Sequence, residues 1–183
     1  MRKLLGCFLI LTLSACASLK PVRNPDDVND RVKFSMDARF SVNYVEDTKN
    51  KNLTGKMQWE ESNRATDVVL ASPIGSAMAS LHLTNNEAIL KTSSGEMYVE
   101  KTAEELLYRM LGYELPLSDL RKMIGSKDVP LPDGAKFNEW SAQVDQRFEN
   151  PNLAKKLTIT RQKPTPLTMI LFIDERSDFQ SHD

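Results

Sequence analysis

Residues 34–44 read Phe34-Ser35-Met36-Asp37-Ala38-Arg39-Phe40-Ser41-Val42-Asn43-Tyr44. Every even position is apolar and every odd one is polar or charged. A period of two is the mark of a strand with one face against a core and the other in water. The next segment repeats the pattern after an Asn50-Lys51-Asn52 turn. Leu53, Gly55, Met57 and Trp59 fall on one face, and Thr54, Lys56, Gln58 and Glu60 on the other. Two such runs joined by a polar turn form an antiparallel hairpin.

Working outward, further strands are expected at Asp67–Ala71, Ser76–Leu83, Glu87–Lys91 and Glu96–Glu100. They are joined by Ser72-Pro73-Ile74-Gly75, Thr84-Asn85-Asn86 and Ser93-Ser94-Gly95, segments rich in turn-forming residues. Six short-looped strands in succession make a meander that curls. Two helices then interrupt it. The first opens with the capping box Thr102-Ala103-Glu104-Glu105, closes at Gly112, and carries Leu106, Leu107, Met110 and Leu111 as its apolar stripe. The second runs from Leu117 to Ile124, with Leu117, Leu120, Met123 and Ile124 on one side and Gly125 as its stop.

A Pro- and Gly-containing loop, Val129-Pro130-Leu131-Pro132-Asp133-Gly134, leads into strands at Glu139–Phe148, Leu153–Arg161 and Leu167–Asp174. The last is apolar on both faces, as in a strand packed on two sides: Leu167, Met169, Leu171 and Ile173 point one way, Ile170 and Phe172 the other. The whole is an antiparallel sheet of about nine strands, curled round an apolar face, with two helices inserted before its final third.

Upstream of the sheet the chain changes character. Arg2 and Lys3 precede the apolar run Leu4–Leu11, which is too short to span a bilayer and ends in Leu13-Ser14-Ala15-Cys16. This is a lipobox: small residues suit the lipoprotein signal peptidase, and the Cys16 thiol takes a diacylglycerol. Residues 1–15 are therefore expected to be a cleaved signal, 16–31 a lipidated polar tether, and 32–183 the folded domain. Several acyl chains, each methylene contributing about 0.8 kcal/mol, make desorption from a membrane slow. Ala17 and Ser18 in place of an aspartate favour the outer membrane. Cys7 leaves with the signal and Cys16 is acylated, so no thiol remains for a disulfide. Removing Arg2 and Lys3 leaves 22 basic residues against 25 acidic ones, a net charge of −3. That balance argues against nucleic acid as a partner.

Little in the sequence points to catalysis. The histidines, His82 and His182, are far apart, so no metal-ligand spacing exists. His82 alternates with Leu81 and Leu83 and reads as a solvent-face strand residue. Ser72, Ser76 and Ser80 lack a glycine-framed nucleophile elbow. Glu60-Glu61 and Glu104-Glu105 are explained by strand solvation and helix N-terminal charge. No Gly-rich phosphate loop is present. No cofactor, metal or catalytic residue is expected.

Three segments resemble a known family. They are Leu70-Ala71-Ser72-Pro73-Ile74-Gly75-Ser76; the stretch Thr102 to Gly125, above all Leu111-Gly112-Tyr113-Glu114-Leu115-Pro116-Leu117 with Leu120 and Ile124; and Ala38-Arg39-Phe40 followed by Trp59. Together they are similar to LolB, the outer-membrane receptor that takes lipoproteins from the periplasmic carrier LolA. The likeness covers the order of elements from residue 34 onward. Beyond Gly134 it rests on strand order, and the tail after Asp174 departs from the family.

The resemblance implies an unclosed β-barrel, a half-barrel, covered by a helical lid, whose hollow holds acyl chains. Met36, Phe40, Met57, Trp59, Leu106, Leu107, Met110, Leu111, Leu120, Met123 and Ile124 are the expected lining, and methionine suits it because an unbranched thioether adapts to irregular chains. Pro73, Ile74 and Gly75 are the expected membrane-insertion loop. The expected partners are a LolA-like carrier, cargo acyl chains and outer-membrane lipid, engaged by a monomer on the periplasmic face. Two other readings stay open: a structural or adaptor lipoprotein with a solid core, and a hydrolase.

Overall fold

The computed structural model describes residues 31–111, 117–125, 134–137, 139–150, 153–163 and 165–178. The signal, Cys16, most of the tether, the linker Gly112–Pro116 and the loop 126–133 lie outside the described residues. Ten strands and two helices are present: β1 (Phe34–Glu46), β2 (Lys49–Glu61), β3 (Thr66–Ala71), β4 (Ala77–Leu83), β5 (Ala88–Thr92), β6 (Met97–Glu100), α1 (Ala103–Leu111), α2 (Leu117–Ile124), β7 (Ala135–Phe137), β8 (Trp140–Arg147), β9 (Ala154–Arg161) and β10 (Leu167–Asp178).

All ten strands form one antiparallel sheet, ordered β6-β5-β4-β3-β2-β1-β10-β9-β8-β7. The first and last strands of the chain pair at its centre. Its two edges, β6 and β7, flank the helices in sequence, so the chain leaves one edge, crosses the apolar face as α1 and α2, and resumes at the other. One apolar cluster joins both halves of the sheet to both helices. The sheet is open, and it curls around the helices as the half-barrel reading requires.

Three details differ from the reading of the sequence. The β1–β2 turn is Asp47-Thr48, with φ of 48° and 65°, so both central residues are left-handed, as a two-residue hairpin connection requires. Asn52 belongs to the strand instead. Its Nδ2 donates to Asn43 Oδ1 at 2.7 Å and to Ser41 Oγ at 3.1 Å, so the asparagine is used across the strands. A tenth strand, β7, pairs with the start of β8.

The third difference is in β10, which runs four residues past Asp174. Asp37 pairs with Glu175 but Ala38 with Ile173, so Asp174 is an extra residue in the ladder. A bulge changes which residues face which side. Ile173 faces the core, and beyond the bulge Arg176 pairs with Met36 and faces it too. The alternation therefore breaks at Asp174 while the strand continues. Asp174 itself points outward, where Arg39 Nε and Nη2 donate to its carboxylate at 2.9 and 2.7 Å. That guanidinium lies 4.5 Å from the centre of the Phe172 ring, and Lys155 Nζ lies 5.8 Å away. Phe172, one of the two outer apolar side chains of β10, is thus covered by cations rather than by a second layer of structure.

Candidate functional site

The concave face is built row by row across the register. Met36, Trp59, Val68, Leu81, Leu90 and Tyr98 are successive partners from β1 to β6. Ala38, Met57, Leu70 and Ala79 form the next row. Above them Leu171, Phe40 and Gly55 are partners, then Met169, Val42 and Leu53. Gly55 allows this packing: a Cβ there would sit 2.7 Å from Phe40 Cζ and 2.5 Å from the Ala71 carbonyl oxygen. The Phe40 ring occupies the space that glycine leaves free.

The helices cover this face for reasons local to each. Thr102 Oγ1 accepts a hydrogen bond from the Glu105 amide at 3.1 Å, capping α1. Glu104 and Glu105 lie in its first turn, where the dipole favours them, and Arg109 lies in its last. On α1, Leu106 is fully buried while Leu107 and Met110 are half-buried. On α2, Leu117, Leu120, Met123 and Ile124 are all buried. Gly125 ends α2 at φ 74°.

Of the eleven residues expected to line the hollow, Met36, Met57, Trp59, Leu106, Leu120, Met123 and Ile124 are closed to solvent. Phe40, Leu107 and Met110 are half-buried against the same cluster. Leu111 ends α1, and its side chain is outside the described residues. The sequence reading did not name Phe34, Val42, Leu70, Leu83, Leu90, Tyr98, Trp140, Leu157 and Leu171 as lining, and the structure puts them on the same apolar face. The alternation in β1, β3–β6 and β8–β10 was the signal for them. It required knowing which face of each strand looks inward.

Ile74 is 91% exposed, so it does not fold back on the sheet edge. Its turn is fixed from below: the Ser72 amide donates to the Ser76 carbonyl and the Gly75 amide to the Ser72 carbonyl, each at 2.8 Å. Ser72 Oγ accepts from the Ser76 amide at 3.1 Å. Gly75 has φ 93°, a conformation open to glycine. A rigid turn thus holds an aliphatic side chain in water at the end of β3, where solvent-loving residues are usual.

The outer face also carries a polar pair that the sequence did not reveal. His82, partly exposed, has Nδ1 2.6 Å from Oδ1 of the buried Asp67 across the β3–β4 ladder. Among the described residues no group of three or more His, Cys, Asp or Glu side chains could hold a metal ion. No described helix is long and apolar enough to cross a membrane.

Comparison with known proteins places this fold. The family profile described as outer membrane lipoprotein LolB matches residues 32–161. The outer-membrane lipoprotein LolB of Cupriavidus metallidurans is 30% identical, over 90% of this chain and 90% of its own length. That of Azoarcus sp. is 27% identical, over 88% of this chain and 83% of its own. The crystal structure of a LolA superfamily protein from Nitrosomonas europaea aligns over 88% of this chain and 90% of that one, with a TM-score of 0.43 and 6% identity. That last likeness is too distant to bear on the assignment, which rests on the profile and the sequence relatives: the chain belongs to the LolB family of outer-membrane lipoproteins.

Proposed function

We propose that this protein, held on the periplasmic face of the outer membrane by a lipid on Cys16, receives acylated lipoproteins from a LolA-like carrier. It shelters their acyl chains on the apolar concave face beneath the helices and releases them into the inner leaflet, acting as a monomer. The observation that carries this reading is Ile74, presented to solvent on a turn fixed by three hydrogen bonds beside an apolar face that is only partly closed. Such a side chain gains free energy by entering lipid. Pro73, Ile74 and Gly75 would hold the mouth of the sheet against the bilayer while the cargo leaves.

No phosphate-binding loop supplies energy, so transfer runs downhill. Cargo is expected to bind this protein more tightly than it binds the carrier, each tenfold advantage corresponding to about 1.4 kcal/mol. The test is direct. The mature chain with Cys16 replaced is mixed, without membranes, with carrier loaded with an acylated lipoprotein. Most of the cargo is expected to change hands, and cargo that stays on the carrier overturns the proposal.

A further inference from the structure

The two helices are fastened to the sheet in different ways. Arg121 of α2 donates from Nε to both carboxylate oxygens of Glu61 at 3.0 Å, and from Nη1 to the Gly125 carbonyl at 3.0 Å. Trp59 Nε1 donates to the same carboxylate at 2.9 Å. From β10, Arg176 donates to the carbonyls of Ile124 and Gly125 at 3.1 Å each, and the Asp178 carboxylate holds it in place. Both guanidinium groups lie against the Phe34 ring, at 3.8 and 5.2 Å from its centre. The carbonyls at the C-terminus of α2, which have no partner within the helix, are thereby satisfied by two cations. The Arg176 side chain is only 4% exposed, so water competes poorly for these bonds.

Among the described residues α1 has no such fastening. Its one ion pair to the sheet among the described residues is Arg109 to Glu100 at 2.7 Å, with the arginine side chain 56% exposed. The same guanidinium lies 5.7 Å from the centre of the Tyr98 ring. The apolar surface follows the same division. The side of α2 that meets the core is sealed, whereas Leu107 and Met110 on α1 remain half-open, as do Phe40, Leu70, Leu90 and Tyr98 on the strands.

We infer that α2 is a permanent part of the core and that acyl chains are taken in beneath α1, along the strip from Phe40 to Tyr98. The inference rests on the acyl-holding reading above and says where in the hollow the chains lie. The strip crosses from β1 to β6, five strand spacings or about 24 Å, a length suited to an extended long-chain acyl group. A polypeptide is a poor occupant, because its backbone amides would find few partners among these side chains. Making room for a methylene chain requires α1 to give up an exposed ion pair. Making the same room under α2 would strip Arg176 from the carbonyls of Ile124 and Gly125 and Arg121 from Glu61.

Hydrogen exchange read by mass spectrometry on the mature chain with Cys16→Ser tests this. The probe is a synthetic tripalmitoylated cysteinyl peptide, with the unacylated peptide as control. In the free protein the amides of α1 are expected to exchange at least tenfold faster than those of α2. The lipopeptide should slow exchange in α1 and along β5–β6 and leave α2 unchanged, while the control peptide changes neither. Arg176→Met should raise exchange in α2 toward that of α1. If that variant does not fold, the wild-type comparison decides alone. Lipopeptide binding that opens α2, or equal exchange in the two helices, overturns this inference and leaves acyl binding standing. A lipopeptide that does not bind at all overturns both.

Discussion

Replacing Ile74 with glutamate separates the two halves of the proposed function, and the structure sets the size of the effect. At 91% exposure the side chain contributes almost nothing to the folded domain, and its turn is held by backbone groups and Ser72. The variant is expected to unfold within about 0.5 kcal/mol of the wild type, the range of ordinary surface substitutions. The concave face is untouched, so the variant should accept cargo from the carrier at the wild-type rate. Delivery is different. Burying an isoleucine in an apolar phase contributes roughly 1.5 to 3 kcal/mol, and a carboxylate forfeits that and adds a cost of its own. At about 1.4 kcal/mol per tenfold, release into liposomes should slow by at least tenfold and by about a hundredfold if the full burial is lost. Ile74→Leu should restore it. The assay follows one labelled lipoprotein through two stages, carrier to protein in solution, then protein to sedimented liposomes. If Ile74→Glu delivers at the wild-type rate, the turn has no insertion role. If it folds but fails to accept cargo, the turn acts in reception and the reasoning is equally refuted.

Three further substitutions test the fold beneath this site. Gly55→Ala places a methyl group 2.5 Å from the Ala71 carbonyl and against the Phe40 ring. It should cost about 1–3 kcal/mol, read as a lower urea midpoint; an unchanged midpoint would mean that the close approach is unimportant. Leu106→Ala empties a fully buried position between α1 and the sheet and should cost about 2–5 kcal/mol, measured the same way. Thr102→Ala removes the cap at the Glu105 amide and should cost about 1 kcal/mol. Its mark should be faster amide exchange in the first turn of α1 with α2 unaffected, and equal acceleration of both helices would show that they open together.

Much of this was legible in the residues. The even-numbered apolar positions of 34–44 are those that face the core, because a strand's side chains alternate whatever it pairs with. Both helices run where their caps and stripes put them, since Thr102 and Gly125 act on their own backbone neighbourhoods. The exposure of Ile74 was half legible: the turn was plain from Ser72, Pro73 and Gly75, but whether the side chain turned back on the sheet was not. The Asp47-Thr48 turn escaped notice because Asn50 and Asn52 look like better turn formers, and register across β1 and β2 overruled that preference.

The sequence by itself therefore determined which residues are apolar on which face of each element, and the family that this pattern shares. Only the tertiary structure decided which part of that apolar face is sealed and which is left half-open. The division depends on groups far apart in the chain: Glu61 on β2, Arg121 on α2, and Arg176, turned inward by the bulge at Asp174. A bulge shifts the parity of everything beyond it, and a guanidinium satisfies a carbonyl fifty residues away only once the sheet has brought them together. Neither event leaves a local signal in the residues, so the closing of α2 and the freedom of α1 appear only when the strands have paired.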